Sequence, residues 1–559
     1  MPCPIRSESV LPQDSMKRRQ FLIGTAGAAA SLAVSGCSPR SGRRFNFDGR
    51  VVGANDRVGH LLRQGGLPAP RAERRVPVVI VGGGVAGLSA GWKLRKAGFT
   101  DFEILELEDD TGGNARSGRN AVSAFPWGAH YVPFPTRESR AVRELFQELG
   151  IIQGYDSSGK PIYDETFVCG APEERLFING KWQDGLVPAL GMSRPELDQL
   201  SRFKDLIAGF RDRRDAAGRP AFAIPMEMSA RDADLMALDR VSMRDFLLTQ
   251  KLDAPGLHWY VDYCCRDDYG SYSSDVSAWA GVHYFASREG ESARESETTL
   301  LTWPEGICWI VGRLAHSLDR HLSPNALVFR ITPTATGATV DAYNARDQVT
   351  TRLVADDVIL ACPSSFANYL IPTLDAGTRH DLAGFEYAPW LVANLTLRAF
   401  PTPRAGVPLA WDNVIYKSPT LGYVVATHQS LQSRPRATVL TFYHALAGRP
   451  TSGARTQLLS RGWDGWAEFI LDDLSRPHPE IGSLVTTLDM MLWGHAMICP
   501  RPGFVWSQAR QRVASAAGSI HFAHSDVSGL SLFEEAQYRG VGAAERVLRR
   551  HHVAHTSSI

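Results

Sequence analysis

The sequence predicts an α/β fold centred on a Rossmann-type nucleotide-binding unit, and three neighbouring features predict it. Val78 to Val81 is an unbroken β-branched run, the form of a strand buried on both faces. Gly82-Gly83-Gly84-Val85-Ala86-Gly87 follows at once as a G-x-G-x-x-G turn that opens a helix over about Val85 to Lys96. A second strand, Phe102 to Leu107, carries Glu106 at its end, about twenty residues past the last glycine.

Each of these residues has a physical task in such a unit. Gly82 permits the tight turn, Gly84 lets the backbone approach a pyrophosphate, and Gly87 lets the helix pack closely on the strand. Val85 and Ala86 begin the helix, so their end of it offers free amides and the positive dipole to phosphate oxygens. Gly98 terminates the helix, and Glu106 is placed to accept hydrogen bonds from an adenosine ribose. The fingerprint alone does not separate NAD from FAD.

Composition bounds the rest. The chain has 559 residues, 44% hydrophobic and 21% charged, with a formal net charge of +1. That length supports two or more domains around sizeable cores, and the charge gives no reason to expect nucleic acid as a partner. The 8 cysteines show no metal-type spacing, so no metal site and no disulfide framework are expected.

Upstream of the nucleotide unit, Lys17, Arg18 and Arg19 precede an apolar, Ala- and Gly-rich stretch from Phe21 to Val34. Its charge order and modest hydrophobicity suit an export signal better than a permanent span. "RRQFL" resembles the twin-arginine export motif, and "VSGC" resembles a bacterial lipobox whose cysteine, here Cys37, is lipidated. Residues 1–37 are therefore expected to be a signal read by the twin-arginine translocase, and 38–75 a tether from a lipid anchor in the membrane. The implied location is periplasmic, after export across a bacterial inner membrane.

Beyond the fingerprint, "LEDDTGGNARSG" places Gly112-Gly113 shortly after Glu106, and "TWPEGICWIVGRL", "ADDVILACPSS" and "SIHFAHSDVSGLSLFEEAQYRGVGAAERVL" follow in order. Together these resemble the flavin amine oxidase and phytoene desaturase superfamily of FAD-dependent oxidoreductases. The resemblance implies non-covalent FAD, with Gly82, Gly84, Val85, Ala86 and Gly87 around its pyrophosphate and Glu106 on its ribose. It also implies that Gly112, Gly113 and Arg116 lie along the cofactor, that Val328 makes a backbone contact on the adenine side, and that Asp526 meets the ribityl or phosphate region. The FAD domain would be assembled from 76–165, 321–375 and 513–550. An α+β substrate domain would take 166–320 and 376–512, with helices over 195–250 and strands at 391–400 and 437–446.

In such a protein the flavin ring performs the redox step and the chain supplies position, dryness and charge. His130, in "PWGAHYVPFP", falls in the loop that the resemblance puts beside the ring. It is a proton carrier or a hydrogen-bonded structural histidine. Trp493 and His495, in "LWGHAMICPRPG", are a candidate cavity wall and polar contact, with core packing the alternative for the tryptophan. Amine oxidases of the superfamily commonly carry a lysine on a substrate-domain strand; the matching strand here, "WLVANLTLRAF", has none, and Asn394 falls nearest. "RDDYGSYSSDVSAWAG" can border the substrate entrance or serve as an ordinary polar loop. The expected activity is oxidation of a small organic substrate, with electrons passed to oxygen or a membrane-side carrier. A desaturase or isomerase acting on an apolar substrate, and a flavin-binding protein without catalysis, are the alternatives.

Overall fold

A computed structural model describes residues 45–294, 299–430, 432, 435–515 and 518–559. The signal expected at 1–37, with Cys37, lies outside them.

A five-stranded parallel sheet forms the nucleotide unit, in the order Leu322–Ser323, Phe102–Leu105, Val78–Val81, Asp357–Leu360, Ile520–Phe522. Val78 to Val81 are all buried, as a strand covered on both faces requires. Strand alternation sends Val78, Ile80 and Ile104 to one layer, against helices Val85–Lys96 and Phe533–Arg550. Val79, Val81 and Leu105 face the other layer, formed by antiparallel strands Ala326–Pro333, Ala338–Asn344 and Val349–Ala355. Residues from three distant parts of the chain thus complete one sheet.

The second unit is built on a seven-stranded mixed sheet. Its order is Lys181–Asp184, Glu174–Ile178, Asp412–Ile415, Gly422–Val425, Thr438–Ala445, Tyr387–Leu397, Val485–Ile498. Helices Arg194–Asp212, Met243–Thr249, Pro255–Tyr269 and Ala278–Ala286 share a separate apolar cluster around Trp279. The first of them starts with a capping box between Ser193 and Glu196. The edge strand Val485–Ile498 carries a bulge: Ala388 pairs with Met497 but Trp390 pairs with Trp493, so two extra residues are absorbed near Gly494–Ala496.

The stretch 38–75, expected as a tether, departs from that expectation from Phe45 onward. Phe45 and Phe47 pack on Trp463, and Asp48 and Val51 pair in parallel with Thr487 and Met490. Short helices Asp56–Gly59 and Leu61–Gln64 follow. The reason is physical: an edge strand presents unpaired amides and carbonyls, and the apolar residues scattered through this Arg- and Gly-rich segment find a surface to cover. No helix of the described residues is long and apolar enough to cross a membrane.

Candidate active site

The glycine turn leaves a groove at the carboxyl ends of the parallel strands. A side chain at Gly87 would place its Cβ 1.9 Å from the Gly82 carbonyl oxygen, so only glycine lets this helix start so close to the strand. Gly84 and Gly113 differ in kind. A Cβ on either would meet nothing nearer than the Cα of the other, at 3.9 and 3.5 Å, so the two bare backbones bound a narrow open slot. Gly112 donates its N–H to the Gly83 carbonyl at 2.9 Å and ties the two turns together. No side chain caps helix Val85–Lys96, so its first turn of amides beside the slot has no side-chain partner. An uncapped helix start beside two side-chain-free backbones fits a dinucleotide diphosphate.

Glu106 accepts the Gly83 N–H at 2.7 Å and the Glu108 N–H at 2.9 Å. Burial raises its pKa despite those donors. Val328 is buried, and a bulge between Val328 and Arg330 interrupts the strand ladder there. Arg116 is held by Glu108 at 3.2 Å and by Asp109 at 3.4 Å.

Asp526 is surrounded by protein donors. It is 0% exposed, and its carboxylate accepts from the Ser364 N–H at 2.7 Å, the Ser364 hydroxyl at 2.6 Å and the Tyr387 hydroxyl at 2.6 Å. Burial alone would raise its pKa, but His524 and these donors outweigh it and the net shift is downward. Its side chain ties down the loop after strand Asp357–Leu360.

Where the two units meet lies a cavity of about 140 Å³, lined by Asn114, Gly128, Ala129, Trp390, Val392, Tyr443, Trp493 and the helix start Leu532–Glu534, among others. Leu532 is the uncapped N-cap of the final helix, so a second set of free amides faces this space. A second cavity of about 620 Å³ shares His130, Tyr131, Pro133, Asp267 and Arg288 with the first and reaches Glu289 and Glu291. The two make one passage.

Acids line that passage. Burial, reinforced by the neighbouring Asp268, lifts the Asp267 pKa to about 7. Burial likewise lifts Glu173, Glu174 and Glu534 to about 7 each, and Asp412 well above its ordinary value. Arg288 is committed: it grips Asp268 with a two-point contact and lies 4.4 Å from the centre of the Tyr284 ring.

His130 does line the passage. Its ring stacks on Tyr443 with centroids 4.6 Å apart, and burial lowers its pKa to about 4, so it is neutral at physiological pH. Trp493 lines the cavity while donating its indole N–H to the Trp127 carbonyl at 2.6 Å. His495 does not line it. The bulge turns it toward Phe366 and Tyr387, with ring centroids 5.9 and 6.1 Å away, on the nucleotide side. Asn394 does not line it either: its side chain donates to the Pro126 carbonyl at 3.0 Å and accepts from Thr441 at 2.7 Å, and it is 2% exposed. The same strand presents Trp390 and Val392 instead. Sequence reasoning missed Tyr443, Asp412, Glu173, Glu174 and Arg288; besides His130 and Trp493, the polar segment "RDDYGSYSSDVSAWAG" pointed at the passage, through its Asp267 and Asp268.

Comparison with known proteins agrees with this geometry. Residues 80–149 match the NAD(P)-binding Rossmann-like domain family. Over 117 residues the chain is 32% identical to polyamine oxidase 7 of Oryza sativa subsp. japonica, covering 20% of this chain and 25% of that protein. The chain spans about a quarter or less of the length of the curated relatives it matches. By fold it is similar to a putrescine oxidase redesigned for cofactor binding, with TM-score 0.61 and 17% identity over 86% of this chain and 100% of that one. It is also similar to a fatty acid isomerase of P. acnes, with TM-score 0.57 and 15% identity over 85% and 98%. The protein has the fold seen in solved amine oxidases, a Rossmann-like nucleotide-binding domain joined to a mixed-sheet substrate domain.

Proposed function

We propose that the protein is an FAD-dependent oxidoreductase that oxidises a small amine. One observation carries the reading: an acid-lined passage leads to an aromatic-walled cavity that opens beside the dinucleotide groove. Buried carboxylates cost free energy unless something offsets it, and a cationic substrate does so on entry. The stacked faces of His130 and Tyr443, with Trp390 and Trp493, suit an alkyl chain and its ammonium group.

FAD held non-covalently in the groove would supply the two-electron acceptor for a substrate C–H. The residues of this chain do the rest. Asp267, with a pKa of about 7, attracts the ammonium group when ionised and takes its proton, which leaves the neutral amine that can lose hydride from the adjacent carbon. Tyr131 and the Arg288–Asp268 pair hold the Asp267 region in place. Trp390, Val392 and Tyr443 exclude water.

The likeness to putrescine and polyamine oxidases supports an amine, and the acids count against the alternative of an apolar or fatty-acid substrate, whose own carboxylate they would repel. The N-terminal pattern adds a further part of the proposal: export by the twin-arginine route with the cofactor loaded, and anchoring at Cys37. Purified protein should be yellow, and acid precipitation should release the flavin. Anaerobic bleaching by mono- and diamines, and not by unsaturated fatty acids, is the expected result. A flavin reduced only by the lipids would overturn the amine reading.

A further inference from the structure

The segment that departs from a tether lies across the nucleotide groove. Residues 48–52 are seated on the edge strand of the second unit, where the Val52 N–H donates to the Met490 carbonyl at 2.7 Å. The chain then crosses to the nucleotide unit. The Asn55 N–H donates to the Glu108 carboxylate at 2.9 Å, and Gly59 lies over Leu107. Leu62 packs into the core layer that includes Leu105 and Phe366, and Arg63 lies 5.9 Å from the centre of the Tyr369 ring.

Those contacts fall on both banks of the groove. Leu107 and Glu108 follow strand Phe102–Leu105; Phe366 and Tyr369 follow strand Asp357–Leu360. The strand that feeds the glycine turn, Val78–Val81, lies between them. Crossing the carboxyl ends of those three strands means crossing the place where this architecture takes a dinucleotide.

Charge supports the same reading. Arg455 donates to the Gly494 carbonyl at 2.7 Å, and the Asn114 amide donates to the Ala496 carbonyl at 2.6 Å, so the guanidinium and His495 are anchored beside the Gly112–Gly113 turn. Arg63, His60 and Arg455 together depress the His495 pKa, which burial has already lowered, so the four groups converge. Among the described residues no carboxylate makes an ion pair with any of them, whereas Arg116, the cation of the turn itself, is engaged by Glu108 and Asp109.

We propose that residues 53–64 form a strap that closes over the cofactor groove, with Arg63 and Arg455 supplying positive charge to the cofactor's diphosphate. The inference rests on the FAD reading above, and its test separates the two. Three full-length variants suffice: Arg63→Gln, Arg455→Gln, and Gly49→Val, whose Cβ would meet the Leu488 carbonyl oxygen at 1.8 Å and unseat the strap away from the groove. FAD release is followed by the rise of flavin fluorescence on dilution, and FAD affinity by titration of the apoprotein.

Each variant is expected to weaken FAD binding about tenfold, the scale of one charge-assisted contact, with the larger part in the release rate. In the parent protein FAD should also slow tryptic cleavage after Arg57 and Arg63. Arg63 is exposed, so its variant folds whether or not Gly49→Val does. If the parent protein binds FAD while both arginine variants match it and FAD leaves the strap cleavage unchanged, the strap proposal is overturned and the FAD reading stands. If the parent protein takes up no FAD on reconstitution, both fall.

Discussion

Asp267→Asn tests the amine reading most directly, because the structure predicts the shape of the effect as well as its size. With a pKa of about 7, raised first by burial and then by Asp268, the carboxyl is half ionised near neutrality. One pH unit lower it is about one-tenth ionised, so a reaction that needs the carboxylate falls about tenfold per unit on the acid side. Glu173 and Glu174, which burial also lifts to about 7, titrate in the same passage, so the midpoint belongs to the cluster and not to one residue. The assay is kcat/KM from about pH 5 to about pH 9 with two amines of different basicity, read as flavin bleaching in a stopped-flow mixer. A limb caused by substrate ionisation moves with the substrate; the Asp267 limb does not. Asp267→Asn should remove that fixed limb and lower the plateau by about a hundredfold or more, at unchanged flavin content. A variant that keeps the limb and stays within about threefold of the parent would refute the role.

Other outcomes follow from single contacts. Gly87→Val should give protein without flavin, because its Cβ would lie 1.9 Å from the Gly82 oxygen; normal flavin content in the purified variant would contradict the cradle. Asn394→Ala leaves the Thr441 hydroxyl and the Pro126 carbonyl without a partner, so it should cost about 1–3 kcal/mol in urea unfolding while KM stays within about threefold. Unchanged stability with a large loss of kcat would instead give Asn394 a catalytic role. Glu174 has a folded pKa raised to about 7 from 4.5, so its contribution to stability is present at low pH and is lost as pH rises through about 7. Glu174→Gln should therefore raise Tm at about pH 8 and do less at about pH 5; a lower Tm at the higher pH would contradict the burial argument.

The nucleotide unit was legible because its determinants are local. A strand, a turn and a helix within twenty residues fix backbone positions that only glycine fills, and Gly87 would be required there in any surroundings. The closing strand near Ile520 was legible for a different reason, since it resembles a known segment. Asp526 shows the limit of that route. The resemblance places an acid at the right point in the chain, but which donors reach it depends on Ser364 and Tyr387, both more than a hundred positions away.

The passage was hidden for a reason that pattern reading does not reach. Asp267 sits near the end of a helix, Asp412 starts a strand, and Glu173 and Glu174 lead into another; each alone is an ordinary surface acid. Only the sheet order, which lays strand Asp412–Ile415 in parallel against strand Glu174–Ile178, brings them to one wall and removes their water. The shifted pKa values therefore belong to the topology and not to any motif. The same holds for His495 and Trp493, two residues apart in the chain. In a regular strand they would share a face and both line the cavity. The bulge that absorbs two extra residues sends one to the substrate side and the other toward the nucleotide groove, where the cationic cluster forms. A local irregularity in one edge strand thus divides a pair that periodicity would keep together, and it equips both sides of the candidate active site.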